Sequence, residues 1–235
     1  KEIITKLIKD SDILVENFSP GVMSSFGLEY KDIVEINPSI VMISITNFGQ
    51  TGPYKDYKAT DIVEYALGGL MYILGTNDRE PLKHALKQAQ FKAGTNAATA
   101  SLIALMHTKM SGEGQYVDIS MQESIASALR DTTSLYTYSG LVRGRQEKFS
   151  GDMPRNAVPA NDGFIVPIHF GGPIDWSATA DFLKSDELKS ENFSTADGRL
   201  KQAELLQETI ETATSQWDKY ELFHEAHKRR GYIYG

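Results

Sequence analysis

Cysteine is absent from all 235 residues. That excludes a disulfide framework, thiol nucleophiles and cysteine-ligated zinc, and it accords with a reducing compartment, so a cytoplasmic location is expected. Long apolar runs are also missing. None approaches the roughly 20 residues a membrane helix needs, and a soluble protein with no membrane partner is expected. Nor is there any excess of basic residues: 31 Asp and Glu outnumber 24 Lys and Arg, for a formal net charge of -7. This argues against general nucleic-acid binding and leaves room for a local basic pocket that takes a phosphorylated ligand. The start, KEIITKLIKDSD, has neither an initiator Met nor a signal-peptide profile, and HKRRGYIYG ends without punctuation; an internal fragment is expected.

What is present reads as globular, with 41% hydrophobic and 23% charged residues. Ile3, Leu7 and Ile8 form one apolar stripe of a first helix. DILVEN (residues 12–17) is a short β-type run, followed by a Pro-Gly turn, a helix from about Tyr30 to Ile36 and an Asn37-Pro38 break. IVMISIT (residues 40–46) is nearly continuously apolar, the pattern of a strand covered on both faces. Strand, helix, strand predicts a parallel crossover, with its ligand edge where the strands end, at Asn17-Phe18 and Asn47-Phe48-Gly49.

Beyond the glycine-bearing loop NFGQTGPY, DIVEYALGGLMYILG predicts a helix with a close backbone approach at Gly68-Gly69. YVDISM alternates as a strand, and a long helix is predicted from Met121 to about Tyr138. The stretch AQFKAGTNAATASLIAL (residues 89–105) is built of small residues and carries no charge after Lys92. It predicts a helix buried on most sides whose N-terminus, around Phe91 to Gly94, points into a cleft with Gln90 at its mouth. Free N–H groups and partial positive charge would favour an anionic or oxyanionic group there. Periodicity disappears between Ser139 and Pro159. The organisation expected is a large domain over residues 1–150 and a linker with a small domain over 151–235. His224 and His227 in HEAH fall one residue short of HExxH and read as a solvated helix face, so no metal is expected.

The run DILVENFSPGVMSSFGLEYKDIVEINPSIVMISITNFGQTGPY, with the small-residue helix and GEGQYVDISMQES in the same order and spacing, resembles the class III CoA-transferases of the formyl-CoA and carnitine type. The resemblance implies an α/β fold with a Rossmann-like large domain, a smaller domain and two subunits interlocked as rings. It also implies that the N-terminal part of the large, CoA-binding domain lies outside this chain. The implied function is transfer of CoA between an acyl-CoA and a carboxylic acid, with coenzyme A and its acyl thioester as substrates and no metal.

By position, the resemblance places Asn17 and Phe18 at the adenine and pantetheine end of CoA, although Asn17 alone also reads as a turn cap. Ser19 and Ser25 stand where family members carry arginines that pair with phosphate, and Lys55 or Lys58 could compensate. Lys58 matches a CoA-contacting basic position. Thr60, before Asp61, replaces the His of the racemase branch and cannot act as acid or base at neutral pH, which argues against racemisation. Gly171 and Gly172, with His169, resemble the glycine loop over the acyl intermediate; a strand-end turn reads equally well.

Gln90 occupies the position of the nucleophilic Asp. A neutral amide cannot attack a thioester as that carboxylate does. Two readings follow: a CoA-transferase, or a non-catalytic CoA-binding subunit paired with an Asp-bearing homologue. The chain is therefore expected as a homodimer or in such a heteromer.

Overall fold

The computed structural model describes residues 1–145, 157–168, 175–229 and 233–234. The chain is mixed α/β and divides into two compact units, Lys1–Gln146 and Glu147–Gly235.

The first unit is built on a parallel sheet of three strands in the order β1-β2-β3: β1 (Ile13–Glu16), β2 (Val41–Thr46) and β3 (Gln115–Ser120). In register, Ile43 pairs with Val15 on one side and with Val117 on the other. Helix α1 (Glu2–Lys9) precedes β1. Two short helices, α2 (Val22–Ser25) and α3 (Tyr30–Val34), form the first crossover. The second crossover holds α4 (Asp61–Leu67), α5 (Leu70–Ile73) and the long α6 (Gln88–Ser111). After β3 come α7 (Met121–Ala126) and α8 (Arg130–Ser139).

The near-continuous hydrophobicity of β2 has a direct cause. Side chains alternate across a strand. Ile40, just before β2, and Met42 face a cluster with Ile8, Leu28 and Ile33, whereas Val41 and Ile43 face Ala97 and Ala104 of α6. Both faces are thus closed, as a central parallel strand requires. Only Ile8 of the α1 stripe is buried; Ile3 and Leu7 are exposed.

Helix α6 departs from its sequence reading in two ways. It begins earlier than Phe91, at Gln88, because the Asp61 carboxylate reaches across from α4 and accepts from Ala89 N at 2.8 Å. It is also buried on one face only. Ala89, Ala93, Ala97, Ser101, Ala104 and Thr108 pack inward, while Phe91, Leu102, Ile103, Met106 and Met110 are open, Met110 to 87%. Small side chains let the helix settle onto β2 and β3, but within this chain nothing described covers the other side.

The predicted single helix at residues 61–75 is broken by Gly69, whose φ of +90° a residue with a Cβ adopts only with strain. At Gly68 the close approach is real, though chiefly to a side chain. An added Cβ would lie 2.4 Å from Ile125 Cγ2 and 3.0 Å from Gln122 O. The helix predicted over residues 121–138 is likewise two helices. Ser120 caps the first by accepting from Glu123 N at 3.2 Å.

The second unit pairs β4 (Val158–Ala160) with β5 (Gly163–Ile165), and β6 (Pro167–Ile168) with β7 (Ile233–Tyr234), both antiparallel. Its helices are α9 (Trp176–Phe182), α10 (Ala196–Lys201), α11 (Ala203–Thr214) and α12 (Lys219–His227). They enclose a core that includes Trp176, Phe182, Leu188, Phe193, Ile210 and Leu222. Arg199 is buried there, donating from Nη1 to Phe193 O at 2.8 Å and stacking over Trp176 at 4.5 Å. No helix among the described residues is long and apolar enough to cross a membrane.

Candidate functional site

Parallel strands present their ligand edge at their C-terminal ends, where loops diverge. Beyond β1 the Glu16 carboxylate turns the chain by accepting from Phe18 N at 2.8 Å, which leaves the Phe18 ring half-exposed and edge-on to Phe26 at 6.3 Å. Beyond β2 the loop NFGQTG is shaped by Gly49 and Gly52, both with φ near +85°, and is pinned by Asp118 of β3, which accepts from Gln50 N at 2.8 Å. A Cβ on Gly49 would lie 3.3 Å from Asp118 Oδ2, so the carboxylate and the glycine fit each other.

Between these two loops lies a cleft of about 220 Å³. All four residues assigned to CoA by position, Asn17, Phe18, Ser19 and Lys58, line it. Lys55, Tyr57, Thr46 and Asn47 complete much of the wall. The arrangement offers an open aromatic face, two amides and two lysines against one carboxylate, Asp56, a set suited to a nucleotide with phosphates. Ser25 is not among the lining residues; its hydroxyl donates to Val22 O at 2.7 Å within α2.

Ser19 also borders a second cavity of about 260 Å³, walled by Glu16, Ser44, Tyr30 and Tyr116. The two tyrosine rings stack there at 5.6 Å, and Tyr116 OH donates to Ser44 Oγ at 3.0 Å. Burial raises the pKa of both phenols. Sequence reasoning did not single out this cavity: Tyr30 and Tyr116 are far apart in the chain and meet only because α3 packs on the sheet to which β3 belongs.

Gln90 sits in the first turn of α6 and does not line the cleft between the two loops. Its Oε1 is buried without a hydrogen-bond partner. The turn is held by Asp61, whose Oδ1 binds Ala89 N and whose Oδ2 pairs with Lys83 Nζ at 2.5 Å. Lys83 in turn donates to the carbonyls of His84 and Leu86, and His84 is hydrogen-bonded to the buried Tyr65 hydroxyl. The mouth of α6 is therefore rigidly tied although its own first turn holds no acidic residue. His169, Gly171 and Gly172 lie outside the described residues. His224 and His227 are exposed on α12, and among the described residues no group of three or more His, Asp or Glu could hold a metal ion.

The family model described as CoA-transferase family III matches residues 1–231. The formyl-CoA:oxalate CoA-transferase of Streptomyces avermitilis is 32% identical over 240 residues, covering 94% of this chain and 58% of that protein. The beta subunit of succinyl-CoA–L-malate CoA-transferase of Chloroflexus aurantiacus is 29% identical over 191 residues, covering 80% of this chain and 47% of that subunit. The crystal structure of a CAIB/BAIF family protein from Brucella suis superposes with a TM-score of 0.84 at 28% identity, covering 98% of this chain and 61% of that one. The chain thus spans roughly half to three-fifths of the length of the relatives it matches.

Proposed function

We propose, from the premise that this chain belongs to CoA-transferase family III, that it forms the CoA-holding part of an enzyme that moves CoA between an acyl-CoA and a carboxylic acid. The observation that carries this is the convergence of Asn17, Phe18, Ser19 and Lys58 on one cleft at the end of a parallel sheet. The first unit then serves as a Rossmann-like CoA-binding domain: the Phe18 face takes the adenine or pantetheine, and Lys55 and Lys58 take phosphate in place of the missing arginines. The substrates are CoA thioesters, no metal is used, and the setting is cytoplasmic.

The chemistry requires a carboxylate that attacks the thioester carbonyl, expels CoA thiolate and becomes a mixed anhydride. The thiolate then attacks the enzyme's own carbonyl of that anhydride and releases the donor acid, leaving an enzyme-bound CoA thioester for the acceptor to resolve. Gln90 stands at that position and, as an amide, does not open this route. That residue favours a second reading, in which this chain binds CoA beside an Asp-bearing homologue. The open apolar side of α6 supports assembly with a second chain of the same family, as an interlocked homodimer or a heteromer, because patches of this kind mark interaction sites.

Calorimetric titration tests the cleft. CoA is expected to bind the unmodified chain, and Phe18→Ala and Lys58→Ala each to weaken it by about tenfold, the loss of one aromatic contact or one phosphate partner. AMP binding as tightly as CoA, or both variants binding CoA undiminished, would overturn the assignment.

A further inference from the structure

Among the described residues of the first unit three buried side-chain oxygens have no hydrogen-bond partner: Thr46 Oγ1, Glu64 Oε2 and Gln90 Oε1. Glu64 alone among them is ionisable. It lies on α4 and is fully buried. A helical Glu is ordinarily solvated, and taking a carboxyl group out of water is costly, so its placement calls for a reason.

The reason lies across the sheet edge. With the Asn47 amide oriented so that both its ends are satisfied, Nδ2 donates to Glu64 Oε1 at 2.8 Å and Oδ1 accepts from Ala59 N at 3.0 Å. The backbone of Asn47 is fixed as well: its carbonyl accepts from Gln122 N at 3.1 Å and from Ser120 Oγ at 3.4 Å. Asn47 also lines the cleft next to Thr46. An amide has two N–H donors and two acceptor lone pairs. Glu64 and Ala59 take one of each, which leaves one donor and one acceptor of the amide unused by these two partners. The direction in which that spare pair points depends on an acceptor under the loop, and Glu64 supplies it.

We propose that Glu64 is a positioning residue of the cleft: its buried carboxyl group fixes the orientation of the Asn47 amide and thereby the hydrogen-bonding floor on which the ligand lies. This rests on the reading that the cleft holds CoA. Burial first, then the Asp61 carboxylate one turn back, raises the Glu64 pKa. Asp61 is itself paired with Lys83 from the segment between α5 and α6. Of the helices packed on α4, α6 brings Lys92 and α7 brings Glu123, and neither contributes to the shift; α5 carries no charge. The folded chain therefore keeps the Glu64 proton to higher pH than the unfolded chain. Its contribution to stability is full below the ordinary carboxyl range and is lost as pH rises through the raised pKa.

The test uses ¹⁵N-labelled unmodified protein, Glu64→Gln and Glu64→Leu, followed from about pH 5 to about pH 9. The Asn47 side-chain amide signal is expected to titrate in the unmodified protein and to stay still in Glu64→Gln. The unfolding midpoint of Glu64→Gln is expected to gain on the unmodified protein as pH rises. Glu64→Gln, which keeps an acceptor, is expected to bind CoA at acid pH within about threefold of the unmodified protein, and Glu64→Leu about tenfold more weakly, the worth of one oriented hydrogen bond.

Identical Asn47 titration in the unmodified protein and Glu64→Gln overturns the proposal, as does full CoA affinity in Glu64→Leu. If Glu64→Leu does not fold, the Asn47 titration decides. Failure of the unmodified protein to bind CoA at any pH would instead sink the cleft reading, and the Asn47 signal would still report whether Glu64 orients it.

Discussion

Gln90→Asp is expected to raise CoA transfer from an acyl-CoA to a carboxylate by about 10³-fold or more over the unmodified chain, the order by which a nucleophile separates a working site from its binding shell. The substitution is well tolerated on structural grounds. Gln90 Oε1 has no partner to lose. A carboxylate in the first turn of α6 also meets unsatisfied N–H groups and the positive end of the helix, which favour it. The opposing influence is Asp61, close enough to bind Ala89 N, but its charge is already paired with Lys83.

Peptide mass after reaction with acyl-CoA should show a CoA thioester on residue 90 of the variant and none on the unmodified chain. An unmodified chain that turns over at an ordinary enzymatic rate, with no gain from Gln90→Asp, would place the nucleophile elsewhere and end the assignment of this position. An inert unmodified chain that gains activity with the Asp would support a CoA-binding subunit whose partner performs the chemistry.

The largest effect on stability is expected at Gly114. Gly114→Ala should cost more than about 4 kcal/mol and leave no cooperative unfolding transition in urea. An added Cβ would lie 2.2 Å from Ile40 O and 2.9 Å from both Ile40 N and Pro38 O. These are backbone atoms at the point where β3 joins β2, with Gly114 N donating to Pro38 O at 2.8 Å and Gln115 N to Ile40 O at 3.2 Å. No rotamer change can relieve that overlap; only a shift of the strand can, and the Val41–Gln115 register would go with it.

Gly94 provides the contrast. It lies inside α6 with nothing within 4 Å of a would-be Cβ. Gly94→Ala should therefore stabilise the chain by about 0.5–1 kcal/mol, since glycine is a poor residue for a helix interior. A Gly114→Ala protein as stable as the unmodified one would show that β3 does not enter the sheet as described.

Legibility in the sequence followed the physics of each signal. The run from Ile40 to Thr46 was readable because a strand closed on both faces has no solvated side to interrupt it. The cleft was readable in outline because Asn17 and Asn47 each end a strand and the family resemblance ties Lys58 to them. Helix α6 was half readable. Small residues announce that backbone comes close, but they do not say on how many sides, and the outward Leu102, Ile103 and Met106 look the same in sequence whether a neighbour covers them or not. Glu64 was illegible. In DIVEYALGG it resembles any helical glutamate, and its partner Asn47 lies across a loop at a separation with no helical or strand period. The pinning of the NFGQTG loop by Asp118 was hidden for the same reason: the contact joins β3 to a loop far earlier in the chain.

The double closure of β2 has a consequence for the order in which the protein is made. The residues that cover its Ile40–Met42 face, on α1 and α3, leave the ribosome before β2 does or just ahead of it. Those that cover the Val41–Ile43 face, on α6, emerge only after α4, α5 and the residues between α5 and α6. During synthesis one side of the central strand is sheltered at once, while the other remains open for the time needed to translate the second crossover. A chain arrested between β2 and α6 carries a bare apolar strand surface and an unpaired parallel edge, a strong invitation to aggregate or to be held by a chaperone.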